Sequence, residues 1–438
     1  MLNLQNWGVL DKEDGDEVTT ISAIFLIEPR QCIQCNSEQI IKHGPKWTTY
    51  RDAPNYGKPS SIRAQLKRYK CKSCNCTFVQ PVTGMHSEMR MTERCFKYIQ
   101  AQSLRDTFTN IAHAVGCNEK TVRSIAHEYL HSLSDAYKPR IEGWIGIDET
   151  TLDGKLRFIV SDLKRRKPLE MLPDRETPTV SNWMWKHRNA NIEVFVMDMW
   201  RGYRSIIYKV FPNAVIVVDK FHVVRMANEA VDKIRLKLSK DRVKAIGQDW
   251  KRRKSLLRMR YKNLSEHGKY NLDMWLENEP DIAIAHNLKE LFYLIYEMPT
   301  REDAEALLDE WLDMIPADIC KGKSDFKPLV TIFKEWRKEI MNYFDYPITN
   351  GYTEALNGVA KVMNRQGRGY SYEIVRAKLL FKNNVPILPS ESGQPSQEVI
   401  DEIISKVDRC IKCGAPRMFG IATSFDDYEH CDDCFLEK

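Results

Sequence analysis

Residues 144–152 read WIGIDETTL, and residues 192–223 read IEVFVMDMWRGYRSIIYKVFPNAVIVVDKFHV. The first stretch is an apolar run, and together with KLRFIVSDL at 155–163 and a shorter segment at 169–172 it predicts three strands joined by tight turns. The second stretch predicts a strand, a helix and a further strand, and residues 178–188 predict a helix between the third and fourth strands. The sequence therefore predicts an α/β fold with the order strand, strand, strand, helix, strand, helix, strand.

Acidic residues stand at the ends of apolar strands in this order. Asp148 lies in the first strand, and Asp198 ends the fourth. The element order is that of an RNase H-like sheet, in which the first and fourth strands are adjacent and parallel, so we expect these two carboxylates to lie side by side. A third acid, Glu354, opens a late helix. We expect that helix to bring Glu354 to the same edge of the sheet.

The predicted meeting of three carboxylates has a chemical consequence. A carboxylate at the end of a buried strand is costly unless it is paired or binds a cation, and three together repel one another unless Mg²⁺ (or Mn²⁺) neutralises them. Two such ions, roughly 3.5–4 Å apart, activate a nucleophile and stabilise the leaving oxygen at a phosphodiester. The sequence thus predicts Asp148, Asp198 and Glu354 as catalytic residues and magnesium ligands.

Other acids compete for these roles. Asp219 ends the fifth strand and is the alternative to Asp198 as the second catalytic acid; otherwise it forms a supporting pair with His222. Topology favours Asp198, because the second acid of this sheet order belongs on the fourth strand. Glu149 should point to the opposite face from its neighbour, since side chains alternate along a strand. Asp162 is expected to be a turn residue.

The helix that begins near Glu354 carries further polar groups. Asn357 and Lys361 follow Glu354 by three and seven residues, spacings that return to the same helical face, so Lys361 is expected to contact a phosphate. The segment after it adds charge and a ring for stacking on DNA: Arg365, Arg368 and Tyr370. Trp200 and Tyr203 follow Asp198 closely, and the sequence leaves open whether they stack on DNA or pack in the core.

Two CxxC pairs near the start of the chain predict a structural Zn²⁺ site. Zinc holds four thiolates in a tetrahedron, and each CxxC turn places two sulfurs on one side of the metal. The predicted ligands are Cys32, Cys35, Cys71 and Cys74, with Cys76 as an alternative. The 35-residue gap between the pairs is about twice the usual 15 to 20. We expect this zinc to order a small DNA-facing zinc-ribbon module in residues 1–90.

A second cysteine set lies at the other end of the chain. Its members are Cys410, Cys413, Cys431 and Cys434. The gap between the pairs is a conventional 17 residues, which is typical of a zinc site, and His430 is an alternative ligand. The sequence predicts a small C-terminal zinc ribbon at residues 400–438, whose role it leaves open.

Residues 108–131 read FTNIAHAVGCNEKTVRSIAHEYLH. Apolar residues recur at helical spacing, and Gly116 marks a tight turn between two short helices. This layout predicts a helix-turn-helix within residues 91–138, whose second helix enters the major groove of DNA; an ordinary helical hairpin is the alternative. Lys120, Thr121 and Arg123 lie near the start of the second helix and are expected to contact bases or phosphates.

Composition agrees with a nucleic-acid partner. The 438 residues carry a net charge of only +6, but basic residues cluster at 63–72, 164–167 and 251–254, and such clusters attract phosphate backbones. The chain has neither a long apolar run nor the start of a signal peptide, so we expect no membrane partner and a cytoplasmic, nucleoid-associated protein. The predicted catalytic domain covers residues 139–385, with a helical insertion at about 225–345.

Several segments together resemble a known family. They are CIQC (32–35), CKSC (71–74), GIDE (146–149), DMWRGY (198–203), VVDKFHVVRMANEAVDKIR (217–235) and TEALNGVAKVMNRQGRGYSY (353–372). Along about residues 30–385 the chain is similar to ISL3-family transposases of bacterial insertion sequences.

The resemblance implies a specific activity and set of partners. It implies DNA transposition, binding of terminal inverted repeats and of target DNA, and a magnesium-dependent DDE site at Asp148, Asp198 and Glu354, with Asp219 still the alternative. Pairing two DNA ends implies at least a dimer on DNA. A DNA-binding regulator that has lost catalysis, and an RNase H-like nuclease or resolvase, are the competing interpretations.

Overall fold

The computed structural model describes residues 2–240, 242, 244–317, 324–383 and 385. Contacts divide the chain into two units, Met1–His131 with Lys138–Asn384 and Ser132–Tyr137 with Val385–Lys438. The four C-terminal cysteines and the predicted ribbon at residues 400–438 lie outside the described residues.

A five-stranded sheet forms the start of the chain. Its strands are β1 (Trp7–Asp14), β2 (Thr19–Phe25), β3 (Ile40–Asn55), β4 (Lys58–Cys71) and β5 (Thr77–Val79). They lie in the order β1-β2-β4-β3, with β5 beside the end of β4. β2 and β4 run parallel, and the other pairs are antiparallel. Alternate residues of β2 are buried, as expected for a strand with one face on a core.

β3 and β4 form a long hairpin between the two cysteine pairs. Tyr56 and Gly57 close it with positive φ angles of 48° and 77°, the backbone of a tight turn whose twist matches the strands. The register returns Cys71 to a position opposite Ile40. The hairpin therefore explains the unusually long gap between the cysteine pairs, because the chain travels out along β3 and back along β4.

Three helices follow the N-terminal sheet: α1 (Glu93–Ser103), α2 (Phe108–Val115) and α3 (Glu119–Ala136). Thr92 and Thr107 cap the first two, and their side chains accept hydrogen bonds from first-turn N–H groups. α2 ends at Gly116 with a φ of 69°, a conformation that glycine adopts without strain. Oδ1 of Asn118 then accepts from the N–H of Lys120 at 2.8 Å. A tight turn at Gly116 thus separates two helices, as predicted.

A second five-stranded sheet lies at the centre of the chain. Its strands are β6 (Gly143–Leu152), β7 (Lys155–Asp162), β8 (Lys167–Leu172), β9 (Ile192–Met197) and β10 (Val215–Val218), in the order β10-β9-β6-β7-β8. β6, β9 and β10 run parallel, and β7 is antiparallel to both β6 and β8. α4 (Thr177–Lys186) and α5 (Arg201–Val210) occupy the predicted positions between strands. The carboxyl ends of β6, β8, β9 and β10 therefore share one edge.

Helices fill most of the stretch after this sheet. They are α6 (Lys220–Lys240), α7 (Lys244–Arg258), α8 (Glu266–Asn278), α9 (Pro280–Ile295), α10 (Arg301–Asp313) and α11 (Lys327–Asp345). Phe292 packs against Trp311 and Phe333, with ring centroids 5.1 and 5.8 Å apart. The helices share one apolar core with the central sheet. Among the described residues, no helix has the length and apolar character needed to cross a membrane.

α11 brings the chain back to the sheet. Nδ2 of Asn342 donates to the carbonyl oxygen of Ile216 in β10 at 2.8 Å. The two last described helices, α12 (Gly351–Gly367) and α13 (Tyr372–Phe381), follow. α12 packs against β6 and β7, so its first turn comes to the edge where the parallel strands end.

Candidate active site and metal centres

Four carboxylates and a histidine meet at the shared edge of the central sheet. Asp148 lies in β6, Asp198 and Asp219 directly follow β9 and β10, and His222 and Glu354 lie in the first turns of α6 and α12. Parallel strands end at the same edge of a sheet, where ligand sites usually form. The structure thus brings the predicted trio and its alternative, Asp219, to one place.

His222 lies between the acids. Its Nε2 is 2.8 Å from Oδ1 of Asp198 and 3.8 Å from Oε1 of Glu354. Asp219, His222 and Glu354 each offer a ligand atom, and these atoms all lie within 4.8 Å of one another. Asp219 and Asp198 therefore approach the same histidine from neighbouring strands.

Asp148 is held from the side by α12. Nδ2 of Asn357 donates to its Oδ2 at 2.6 Å, and the N–H of Glu149 donates to its Oδ1 at 2.7 Å. Glu149 itself turns the other way and binds Arg175 and Tyr203, as strand alternation predicts. Asp162 is the last residue of β7, not a turn residue as expected, and it accepts from the N–H of Arg165 in the following turn at 2.8 Å.

Burial and mutual repulsion perturb the acids. The pKa of Asp148 is raised to about 6, first by burial and then by the charges of Asp198 and Glu354, against the hydrogen bond from Glu149. The pKa of Asp219 is raised to about 6 by burial, with further contributions from Glu354 and Asp198. Both shifts favour the protonated carboxyl, which is the response expected where carboxylates are buried and lie close together.

The pKa of His222 moves in the direction that compensates the acids. Burial works to lower it, but the close approach of Asp198 and the charges of Asp198 and Asp219 outweigh burial, and the net shift is upward. A protonated imidazole there supplies one positive charge to the cluster.

The donor set fits a hard divalent cation. Mg²⁺ and Mn²⁺ prefer carboxylate oxygens, and this edge offers four carboxylates. Within the described residues, Oδ1 of Asp198 and Oδ2 of Asp219 are buried and make no hydrogen bond; the approach of His222 to Asp198 lacks hydrogen-bond geometry. Buried charged oxygens without partners are costly, and a bound cation would satisfy them.

Residues that sequence reasoning missed dock α12 onto the sheet. Asn350 is fully buried, and its Nδ2 donates to the carbonyl oxygen of Ile147 at 2.9 Å. Thr353 donates to Oδ1 of Asn350 at 2.6 Å and lies 2.8 Å from the hydroxyl of Ser161. A Cβ on Gly146 would come within 2.3 Å of Oγ1 of Thr353. Glycine at 146 therefore makes room for the helix that carries Glu354.

The predicted DNA contacts are distributed over two helices. Lys120 is exposed and Thr121 half-exposed at the start of α3, whereas Arg123 is paired with Glu119 at 2.6 Å. The other three are Lys361, Arg365 and Arg368, exposed at the end of α12. In the part of the chain that the structure describes, these three form no ion pair, so their charges are available to a phosphate.

The structure corrects the expectation that Tyr370 stacks on DNA. Its side chain is buried against Phe108 of α2, with ring centroids 4.8 Å apart, and its hydroxyl accepts from the N–H of Phe108 at 3.2 Å. Buried Lys378 of α13 reinforces the contact by donating to the carbonyl oxygens of Ser103 and Asp106. The ring is used to join α12 and α13 to α1 and α2, which a single helical pattern does not reveal.

The two aromatic residues after Asp198 differ in exposure: one packs in the core, and the other remains accessible. Tyr203 is buried, with its ring on Phe158. Trp200 keeps 49% of its surface exposed. Only Trp200 is therefore available to a ligand.

The N-terminal cysteines form a tight cluster. Sγ of Cys32 lies 3.7 Å from that of Cys74, Sγ of Cys35 lies 3.6 Å from that of Cys71, and all four lie within 4.8 Å of one another. Zn–S bonds of about 2.3 Å in a tetrahedron require sulfurs about 3.8 Å apart, so the cluster fits structural Zn²⁺. The N–H groups of Cys74 and Ser73 lower the pKa of Cys71 to about 6, which favours the thiolate that zinc binds.

Comparison with known proteins assigns both regions. The family model described as transposase, of the ISL3 type, matches residues 145–379. A second, described as the zinc-finger of transposase IS204/IS1001/IS1096/IS1165, matches residues 28–74. The chain is also similar to the transposase for insertion sequence element IS1001 of Bordetella parapertussis, with 22% identity over 377 residues, covering 81% of this chain and 89% of that protein.

Proposed function

The chain belongs to the ISL3 family of transposases, and from this we propose that it binds the terminal inverted repeats of an insertion sequence and catalyses magnesium-dependent DNA strand cleavage and strand transfer. The observation that carries the proposal is the meeting of Asp148, Asp198, Asp219 and Glu354 at one sheet edge. There Oδ2 of Asp219 is buried without a hydrogen-bond partner, and buried Oδ1 of Asp198 faces His222. The strand order β10-β9-β6-β7-β8 supports an RNase H-like catalytic domain.

Asp148, Asp198 and Glu354 are the proposed magnesium ligands, with Asp219 as the alternative second acid. The bound metal supplies charge stabilisation at the attacking and leaving oxygens of a phosphodiester. Asn357 keeps the carboxylate of Asp148 oriented by holding its Oδ2. His222 lies beside Asp198, with its Nε2 2.8 Å from Oδ1. Lys361, which is exposed seven residues after Glu354 on α12, is the proposed contact to a neighbouring phosphate.

The proposed path of DNA passes two regions. The helix-turn-helix formed by α2 and α3 presents Lys120 and Thr121 to DNA, and the end of α12 presents Arg365 and Arg368. The zinc-ordered N-terminal module is proposed to bind DNA beside them. Pairing of two transposon ends makes a dimer on DNA the smallest expected assembly.

Single alanine substitutions at Asp148, Asp198, Asp219 and Glu354 test the proposal. End binding is measured by gel shift and cleavage by product formation with Mg²⁺, on DNA carrying the ends of the element that encodes the chain. We expect Asp148→Ala, Asp198→Ala and Glu354→Ala to bind but not cleave. Asp313→Ala, an exposed acid on α10, is the matched control and should cleave normally.

Each alternative gives a different result. Full cleavage by Asp198→Ala together with loss in Asp219→Ala would move the second catalytic role to Asp219. Cleavage without joining of a released 3′-hydroxyl to target DNA would identify a nuclease. Tight end binding without any cleavage by the unaltered protein would identify a regulator.

A further inference from the structure

We propose that Trp200 and Arg175 form a platform for one nucleobase, displaced from the duplex within about two nucleotides of the phosphodiester at the acidic site. The inference rests on the function proposed above and adds a nucleotide-binding site to it. Neither residue belongs to the acid cluster.

The sheet topology brings both residues to the acidic edge. Arg175 follows β8 and Trp200 follows β9. β8 runs parallel to β6, since both are antiparallel to β7, so the chain leaves β8 and β9 at the edge where Asp198 lies. Two residues of chain span at most about 7 Å, so the Cα atoms of Trp200 and Asp198 lie within about two 3.4 Å nucleotide steps of each other.

The indole of Trp200 is exposed but held in place. A Cβ at position 202 would come within 2.8 Å of its Nε1, so the absence of a side chain on Gly202 leaves room for the ring. The guanidinium carbon of Arg175 lies 5.3 Å from the ring centroid, within the range of a cation–π contact. A ring that is fixed and half-exposed loses little conformational freedom when a ligand stacks on it.

Glu149 holds Arg175 in position. Its Oε2 binds Nη1 of Arg175 at 2.8 Å, and its Oε1 accepts from the hydroxyl of Tyr203 at 2.6 Å. Glu149 is the strand neighbour of Asp148 and points to the opposite face. The two adjacent acids thus have different roles: Asp148 faces the metal site, and Glu149 positions the guanidinium beside the indole.

The chemistry of this surface fits a nucleobase. Bases stack on aromatic rings and on guanidinium planes without regard to sequence, and Arg175 adds positive charge beside a phosphate backbone. Enzymes that do chemistry on a base show that a protein can hold a base displaced from the duplex by stacking it on aromatic side chains.

The test uses 2-aminopurine in place of single bases near the cleaved phosphodiester. Unaltered protein, Trp200→Ala and Trp200→Phe are bound to the cleavable end with Ca²⁺ in place of Mg²⁺, so that the complex is observed before cleavage. Trp185→Ala is the matched control, because Trp185 is 41% exposed on α4, outside the acid cluster. A parallel measurement uses a short single strand containing one 2-aminopurine.

With the unaltered protein, we expect a fluorescence change for 2-aminopurine at one position of the DNA. Trp200→Ala should lose this change, whereas Trp200→Phe and Trp185→Ala should keep it. Cleavage by Trp200→Ala should fall by about 5- to 150-fold, the range of a single base–aromatic stack, and a mismatch at that position should recover part of the loss. Asp148→Ala should keep the fluorescence change although it does not cleave.

The proposal is overturned if Trp200→Ala gives the unaltered fluorescence and cleavage, or if Trp185→Ala loses both equally. The single-strand measurement separates this failure from failure of the proposed function. If the unaltered protein neither binds nor cleaves the ends, quenching of the single strand that requires Trp200 still supports the platform, and absence of quenching overturns it.

Discussion

Replacing Asp219 by asparagine should stabilise the metal-free protein at neutral pH while weakening its response to Mg²⁺. The carboxyl is fully buried, its Oδ2 has no hydrogen-bond partner within the described residues, and burial raises its pKa from 3.8 to about 6. At 1.36 kcal/mol per pH unit, ionised Asp219 costs the metal-free fold about 3 kcal/mol. Asparagine has the same shape and carries no charge, so it removes that cost.

The pH dependence gives the sign of the effect. A carboxyl whose pKa is higher in the folded than in the unfolded state contributes stability at low pH that is lost as pH rises through the folded pKa. The free energy of unfolding of the metal-free protein should therefore fall between about pH 4 and pH 6 because of Asp219. In urea denaturation with EDTA, the free energy of unfolding of Asp219→Asn should exceed that of the unaltered protein by up to about 3 kcal/mol at pH 7.5. Near pH 4 the two values should be equal.

Addition of Mg²⁺ should narrow the difference between the two proteins. Binding to the folded state alone stabilises by about 2.7 kcal/mol at 100 times the dissociation constant, and this gain should shrink in Asp219→Asn. Asp162→Asn is the matched control, since Asp162 is equally buried but paired with Arg165 at 3.0 Å. It should destabilise the protein by about 1–3 kcal/mol with or without Mg²⁺. A metal-free Asp219→Asn protein that is less stable than the unaltered one at pH 7.5, beside a normal control, would refute the reasoning.

Three further outcomes follow from named contacts. Cys71→Ser should abolish binding of one Zn²⁺ by the cluster at Cys32, Cys35, Cys71 and Cys74, measured by metal analysis against Cys95→Ser, a buried cysteine outside the cluster. Gly146→Ala should lower the free energy of unfolding by about 1–3 kcal/mol and reduce cleavage, because its Cβ would displace Thr353 and α12; unchanged values in both assays would contradict the docking argument. Tyr370→Phe should cost about 1–3 kcal/mol and speed amide exchange in α2, since the N–H of Phe108 loses its acceptor, whereas Tyr56→Phe, which is 96% exposed, should change neither.

Local patterns predicted the elements that bear the chemistry. A buried parallel strand is a short continuous apolar segment. The sequence therefore predicts the first strand around Asp148 and the strands that end at Asp198 and Asp219. The element order then placed their ends at one edge. The CxxC spacing likewise predicted the four thiols, since zinc geometry is local to each pair.

Contacts between distant segments could not be predicted in the same way. The hairpin of β3 and β4 was missed because β3 is exposed along most of its length and shows no clean alternation. The docking of α12 depends on Gly146 and Asn350, which are 204 positions apart, and the burial of Tyr370 depends on Phe108. A single sequence records each residue but not its partner, so the same tyrosine was expected on the surface.

The contacts of Tyr370 and Lys378 with the α1–α2 region limit which segments of this protein can change independently during evolution. The helix that carries Glu354 continues directly into a segment that packs against Phe108. The N-terminal sheet and α1–α3 are therefore not an independently exchangeable module. On the function proposed above, exchange of exposed positions such as Lys120 would change the DNA contacts without disturbing the acid cluster. Grafting the N-terminal sheet and α1–α3 from a distant relative would instead separate Lys378 and the hydroxyl of Tyr370 from their partners on the α1–α2 region, unless residues 370–381 were transplanted as well.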